Sequence, residues 1–122
     1  MEGKKLQTMN LIPMYTLYDM NVYDCLYTTN LKEYISYSTN NVAKNGACFY
    51  VHKTQEPNTI PIYRVYDSNG HNHIYLARGG EAELNQYLSW TQYEGIEGYV
   101  YSLIKHLLLV QFLFMLSMLK KV

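Results

Sequence analysis

Apolar and polar residues alternate in short bursts along most of this chain, then stop alternating near its end. "IPMYTLY" at 12–18 and "IPIYRVY" at 60–66 are β-branched and aromatic. Each has a proline at its mouth, where a strand tolerates a missing N–H. After the second of these, "DSNG" at 67–70 predicts a hairpin turn. Asn69 and Gly70 tolerate positive φ there, and the Asp67 side chain can cap the turn. "HNHIYLA" at 71–77 then reads as the returning strand.

A short helix follows in each half. Asn30 or Thr29 can cap "LKEYISYS", and Asn30-x-x-Glu33 has capping-box spacing. "GEAELNQYL" at 80–88 also favours helix but begins at Gly79-Gly80, a weaker start. "ACFYVH" at 47–52 and "IEGYVYS" at 96–102 close the two units as strands. The predicted unit is hairpin, short helix, strand.

That unit is written twice. An offset of 48 pairs residues 12–33 with 60–81, with identities at Ile12/Ile60, Pro13/Pro61, Tyr15/Tyr63, Tyr18/Tyr66, Asp19/Asp67, Asn21/Asn69, Tyr27/Tyr75 and Glu33/Glu81. The offset then becomes 49, pairing Gly46 with Gly95 and Tyr50-Val51 with Tyr99-Val100, so the second copy holds one added residue. A self-match at this period signals a repeat architecture. Neither copy can bury both faces of a three-stranded piece alone, so the two should pack together. The expected fold is mainly β with short helices (α+β). It divides into an N-terminal extension (1–10), repeat 1 (11–58, degenerate), repeat 2 (59–102) and a hydrophobic C-terminal tail (103–122).

The tail, "LIKHLLLVQFLFMLSMLKKV", exchanges tyrosine for leucine, phenylalanine and methionine. Its polar positions do not gather on one helical face, so it is not an amphipathic surface helix. Leu107–Leu119 spans only about 20 Å as a helix, short of a ~30 Å hydrocarbon core. A buried or self-associating helix, a marginal membrane contact and a truncated or mis-annotated terminus remain as readings.

Composition narrows the function classes. The chain has 122 residues and zero formal net charge. A nucleic-acid binder needs a basic excess to displace counterions from phosphates, and only the pairs Lys4-Lys5 and Lys120-Lys121 break this neutrality. Tyrosine dominates the aromatics, 14 against 3 Phe and 1 Trp. It buries a ring while keeping a hydroxyl that wants a partner, which suits half-exposed sheet faces and binding surfaces. Cys25 and Cys48 permit one disulfide and are equally compatible with free thiols. The first residues carry charge but no apolar run of secretory-signal type, and no Asn-x-Ser/Thr sequon occurs.

His71-Asn72-His73 has the i, i+2 spacing that places two imidazoles on one strand face, where Asp67 or Glu81 can add a third metal ligand. The equivalent residues of the first copy are Tyr23 and Cys25, so the pair is not part of the shared plan. Structural histidine is the favoured reading, with no metal. Glu94 with Glu97, or Glu81 with Glu83, are carboxylate pairs of the kind that hydrolyse glycosides, but nothing fixes their separation. No phosphate-binding loop, nucleophile elbow or zinc-spaced cysteine set is present. The expectation is a protein without catalytic residues or a cofactor. The tyrosines and Trp90 are the better binding candidates, because aromatic faces stack on the apolar side of sugar rings. Arg64, Asn69, Asn72 and Glu94 can supply polar partners. Against this stands a core role for Trp90 and Tyr63.

The run Pro61-Ile62-Tyr63-Arg64-Val65-Tyr66, followed by His73-Ile74-Tyr75, Glu83, Trp90 and Tyr93-Glu94-Gly95-Ile96, resembles a short tandem repeat of unknown function. That family occurs in secreted and cell-wall-associated proteins of bacteria and fungi. The resemblance covers residues 11–101 and is degenerate in the first copy, which has Cys25 in place of His73. It implies a non-catalytic accessory or adhesion module touching a cell-wall or surface glycan. The expected contact set is Tyr63, Arg64, Tyr66, His73, Tyr75, Trp90, Tyr93 and Glu94. It implies an extracellular or cell-envelope location. The alternatives are a structural fragment that needs partner copies and, further off, a hydrolase.

Overall fold

The computed structural model describes residues 10–119. The proposed N-terminal extension (1–10) lies almost wholly outside them, as does the end of the tail. The first copy supplies β1 (Leu11–Asp19), β2 (Asp24–Thr28), α1 (Leu31–Ser36) and β3 (Val42–His52). The second supplies β4 (Thr59–Asp67), β5 (Asn72–Leu76), α2 (Gly80–Tyr87) and β6 (Gln92–Tyr101). A third helix, α3 (Leu103–Leu119), follows.

The six strands form one antiparallel sheet, curled into a half-barrel, in the order β2-β1-β3-β6-β4-β5. Each copy is a three-stranded piece whose first strand is central. The copies meet at β3 and β6, where the paired register is His52 opposite Tyr99.

Local chemistry accounts for the elements. The Asn30 side chain accepts from the amides of Lys32 and Glu33 and so starts α1. The capping box is only half made, because the Glu33 carboxylate turns to Arg64 instead of reaching back to Asn30. Helix α2 begins at Gly79 with no side-chain cap. Asp67 caps its hairpin by accepting from the Asn69 amide, and Asp19 does the same for Asn21.

The expected position of positive φ is corrected. It falls on His71 (φ 55°) and on its equivalent Tyr23 (φ 57°), not on Asn69 or Gly70. The loop between β4 and β5 has four residues, and its left-handed residue is the last of them. His71 therefore lies outside the strand.

The added strand residues sit at equivalent places. In β6, Ile62 pairs with Gly98 and Tyr63 with Ile96, which leaves Glu97 unpaired; Arg64 pairs with Gly95 and Val65 with Tyr93, which leaves Glu94 unpaired. In β3 the same two register shifts leave out Cys48 and Asn45. Gly46 (φ 76°) and Gly95 (φ 115°) hold left-handed conformations beside these bulges, which explains why glycine recurs there.

The faces of β4 and β5 divide the work. Tyr63, Val65 and Leu76 lie under α2 with Leu84, and Ile74 and Tyr87 pack against them as an apolar core. Met14, Leu17, Leu26 and Val51 are the fully buried apolar residues of the first copy. On the face of β4 and β5 turned away from that core stand Arg64 and Tyr75, which are opposite one another, and then Tyr66 and His73.

Candidate functional site

Arg64 is 6% exposed, and such a residue is rarely buried unless its charge is matched. Its Nε donates to Glu94 at 2.8 Å, Nη1 to Glu33 at 2.7 Å and Glu97 at 2.9 Å, and Nη2 to Glu33 at 2.6 Å. The Glu33 contact is bidentate, the geometry that suits a guanidinium best. Glu94 and Glu97 are the two bulge residues of β6. An extra residue in a strand turns a side chain out of the ordinary alternation. Here it turns two carboxylates toward one cation.

His73 extends the cluster. Its Nδ1 lies 2.5 Å from Asp24 and its Nε2 lies 3.2 Å from Glu94, so Glu94 links the histidine to Arg64. The His73 amide also donates to Asp24. The Glu97 carboxylate and carbonyl accept from the Thr29 amide and hydroxyl. Four carboxylates thus face one guanidinium and one imidazole. Asp24, Thr29 and Glu33 come from the first copy, and the rest from the second.

Tyr75 completes the junction. Its hydroxyl donates to the Tyr27 carbonyl and accepts from the Tyr27 amide, both at 2.7 Å. The two rings meet edge-on with centroids 5.4 Å apart.

The electrostatics follow from burial and pairing. Burial works against the Arg64 charge, yet the hydrogen bonds to Glu33 and Glu94 outweigh it and raise its pKa above the ordinary value. The hydrogen bonds from Arg64 hold Glu33 below the usual carboxylate range, against the opposing effect of its partial burial. Burial pushes the Tyr75 phenol up.

The expected contact residues separate into three groups. Arg64, His73 and Tyr75 join the two copies, Glu94 links Arg64 to His73 within the second copy, and the Tyr66 ring lies 4.8 Å from the His73 ring. Tyr63 is in the core at 7% exposure. Trp90 and Tyr93 are open to solvent at 53% and 49%. The polar members are therefore gathered with Tyr66 and Tyr75, and not around the exposed rings of Trp90 and Tyr93.

The metal reading of His71 and His73 loses its geometry. His71 sits in the turn, with Nδ1 3.5 Å from the Tyr66 hydroxyl, while His73 turns to Asp24 and Glu94. No group of three potential metal ligands occurs among the described residues. Glu94 and Glu97, read earlier as a carboxylate pair, both accept from Arg64. Cys25 and Cys48 are free and exposed.

The contact set overlooked Asp24, Tyr27, Thr29, Glu33 and Glu97. A signal for them was available in the differences between copies. Arg64, His73, Glu94 and Glu97 stand where the first copy has Thr16, Cys25, Asn45 and Cys48. A charge present in one copy only has no partner prescribed by the shared plan: His73 finds Asp24, which stands where the second copy has Asn72, and Arg64 recruits Glu33, whose equivalent Glu81 is shared.

No curated protein and no solved structure is significantly similar to the chain. The chain is similar to a domain family, and that similarity ends where β6 ends, before α3. Residues 1–101 match the domain of unknown function DUF5648, and the chain belongs to that family.

Proposed function

We propose that this domain is a non-enzymatic binding module of an extracellular or cell-envelope surface, with carbohydrate as its ligand. Its contact is the aromatic ledge of Tyr87 and Trp90, with exposed Tyr93 three residues further along the chain. The observation that carries this reading is the exposure of Trp90, the only tryptophan, beside a ring packed on the core. Its ring lies 5.3 Å from that of Tyr87, and Tyr87 packs against the apolar core under α2. A half-open indole and phenol offer flat apolar faces with polar edges, which is what the two sides of a sugar ring require. Exposed Gln86 and Gln92 flank the ledge in sequence and can bond hydroxyls. The surface location rests on the resemblance to repeats of secreted and cell-wall-associated proteins. Engagement of Glu94 and Glu97 by Arg64 supports the non-enzymatic reading.

The test follows Trp90 emission in the full chain during titration with soluble cell-wall glycans and simple oligosaccharides, with calorimetry as a second readout. Saturable binding is expected, and Trp90→Ala should lose the calorimetric signal while still melting cooperatively. A flat titration on a cooperatively folded protein would overturn the reading. Melting that depends on protein concentration would favour a structural unit stabilised by partner copies.

A further inference from the structure

From Gln111 to Leu119, helix α3 has no polar face: its two polar residues there, Gln111 and Ser117, lie about 120° apart around the axis at about 100° per residue. Every residue from Gln111 to Leu119 is exposed, including Phe112, Leu113, Phe114, Met115, Leu116, Met118 and Leu119. Leu113 and Met115 lie about 200° apart and point to opposite sides.

That distribution selects the occupant. A groove on another protein, or the same helix of a second copy, covers one side and leaves the other in water. Acyl chains cover all sides. The helix has 17 residues, about 26 Å, and no helix among the described residues is long and apolar enough to cross a membrane. Basic residues bracket the apolar run in sequence, Lys105-His106 before it and Lys120-Lys121 after it, in a chain of zero net charge. Such flanks suit headgroups, because a lysine stem can lie along apolar surface while its ammonium stays in water.

We propose that α3 is a lipid-binding element that enters the acyl layer of a bilayer surface without crossing it. It holds the DUF5648 domain against the membrane, and the basic residues that bracket it in sequence favour anionic headgroups. The inference is independent of the carbohydrate reading.

Flotation of the full chain with phosphatidylcholine vesicles, with and without phosphatidylserine, tests it. Partitioning into both is expected, stronger with phosphatidylserine. Leu113→Glu and Met115→Glu, on opposite sides, should each weaken partitioning by about tenfold or more, since a charge within an apolar membrane segment is strongly disfavoured. The sheet is the folding control: Trp90 emission and the melting transition should match the parent. Failure to float, or flotation unchanged by both substitutions, would overturn the proposal. Sensitivity at one side only, with a concentration-dependent increase in mass, would also overturn it and identify a second copy as the occupant.

Discussion

The hydroxyl of Tyr75 occupies both backbone hydrogen-bonding groups of Tyr27, the residue 48 positions earlier that holds the same place in the first copy. One phenol thus satisfies an amide and a carbonyl on β2. Tyr75→Phe leaves both groups without their partner while keeping the ring packing. The expected cost is about 1–3 kcal/mol, read from the urea midpoint at unchanged slope. Tyr27→Phe is the control, because the Tyr27 hydroxyl makes no hydrogen bond among the described residues, and it should change stability far less.

Arg64 gives the largest predicted effect. Removing it leaves Glu33, Glu94 and Glu97 facing one another without their common cation. Breaking one side of a buried pair costs about 3–5 kcal/mol, so Arg64→Met should unfold at much lower urea concentration than the parent. Arg64→Lys should recover only part of the loss. An ammonium cannot reproduce the bidentate contact with Glu33 while also reaching Glu94. Equal stability of Arg64→Lys and the parent would show that charge alone, and not the planar fork, holds the copies together.

Stability should fall in acid, with Glu33 contributing. Its pKa is lowered in the folded protein, so its contribution is complete above the unfolded value. That contribution is lost as pH drops through the folded one. Glu33→Gln abolishes this titration. A plot of unfolding free energy against pH should therefore be flatter on its acid side for the variant. An unchanged acid slope would mean that Glu33 gains no protonation-dependent stability from Arg64.

Gly98 marks how closely the two copies approach. A Cβ placed there would collide with the Val51 side chain and come 3.1 Å from the His52 carbonyl oxygen, across the β3–β6 junction. Gly98→Ala should cost about 1–3 kcal/mol by overpacking. Gly95→Ala probes something different. A Cβ there meets nothing within 4 Å, but φ is 115°, so the penalty is conformational. Relieving substitution at Val51 should rescue Gly98→Ala and leave Gly95→Ala unchanged in a double-mutant cycle.

Cys25 and Cys48 should both react with a thiol reagent in the native protein under non-reducing conditions, because both are free and exposed. A titre of two thiols without denaturant is expected. A titre near zero that recovers after reduction would mean that a disulfide had formed.

Much of the fold was legible because it is local. Strand bursts, the Asp67 cap, the Asn30 cap and the weak start at Gly79 depend on neighbours within a few positions. The caps appear where the pattern placed them, while the closing strands begin earlier, at Val42 and Gln92 and not at Ala47 and Ile96. The left-handed residue of the β4–β5 turn was misplaced by one position from Gly70. Loop length decides which residue takes positive φ, and composition does not. The change of offset from 48 to 49 was visible as an insertion between the two blocks. The pairing register shows something further, that the closing strand of each copy carries two unpaired residues.

The repeat by itself determined the mainly β class and the hairpin–helix–strand unit, since periodicity and turn chemistry act within one copy. It also determined that two such units must cover one another. Only the tertiary structure decided where Arg64 and Trp90 stand. Arg64 looked like a ligand contact because its partners, Glu33, Glu94 and Glu97, are about 30 residues away and two of them reach it through strand bulges that alternation does not describe. Trp90 was balanced between core and surface because one residue's burial depends on what packs over it. In the folded chain Leu84 and Tyr87 fill the space under α2, and Trp90 is left outside.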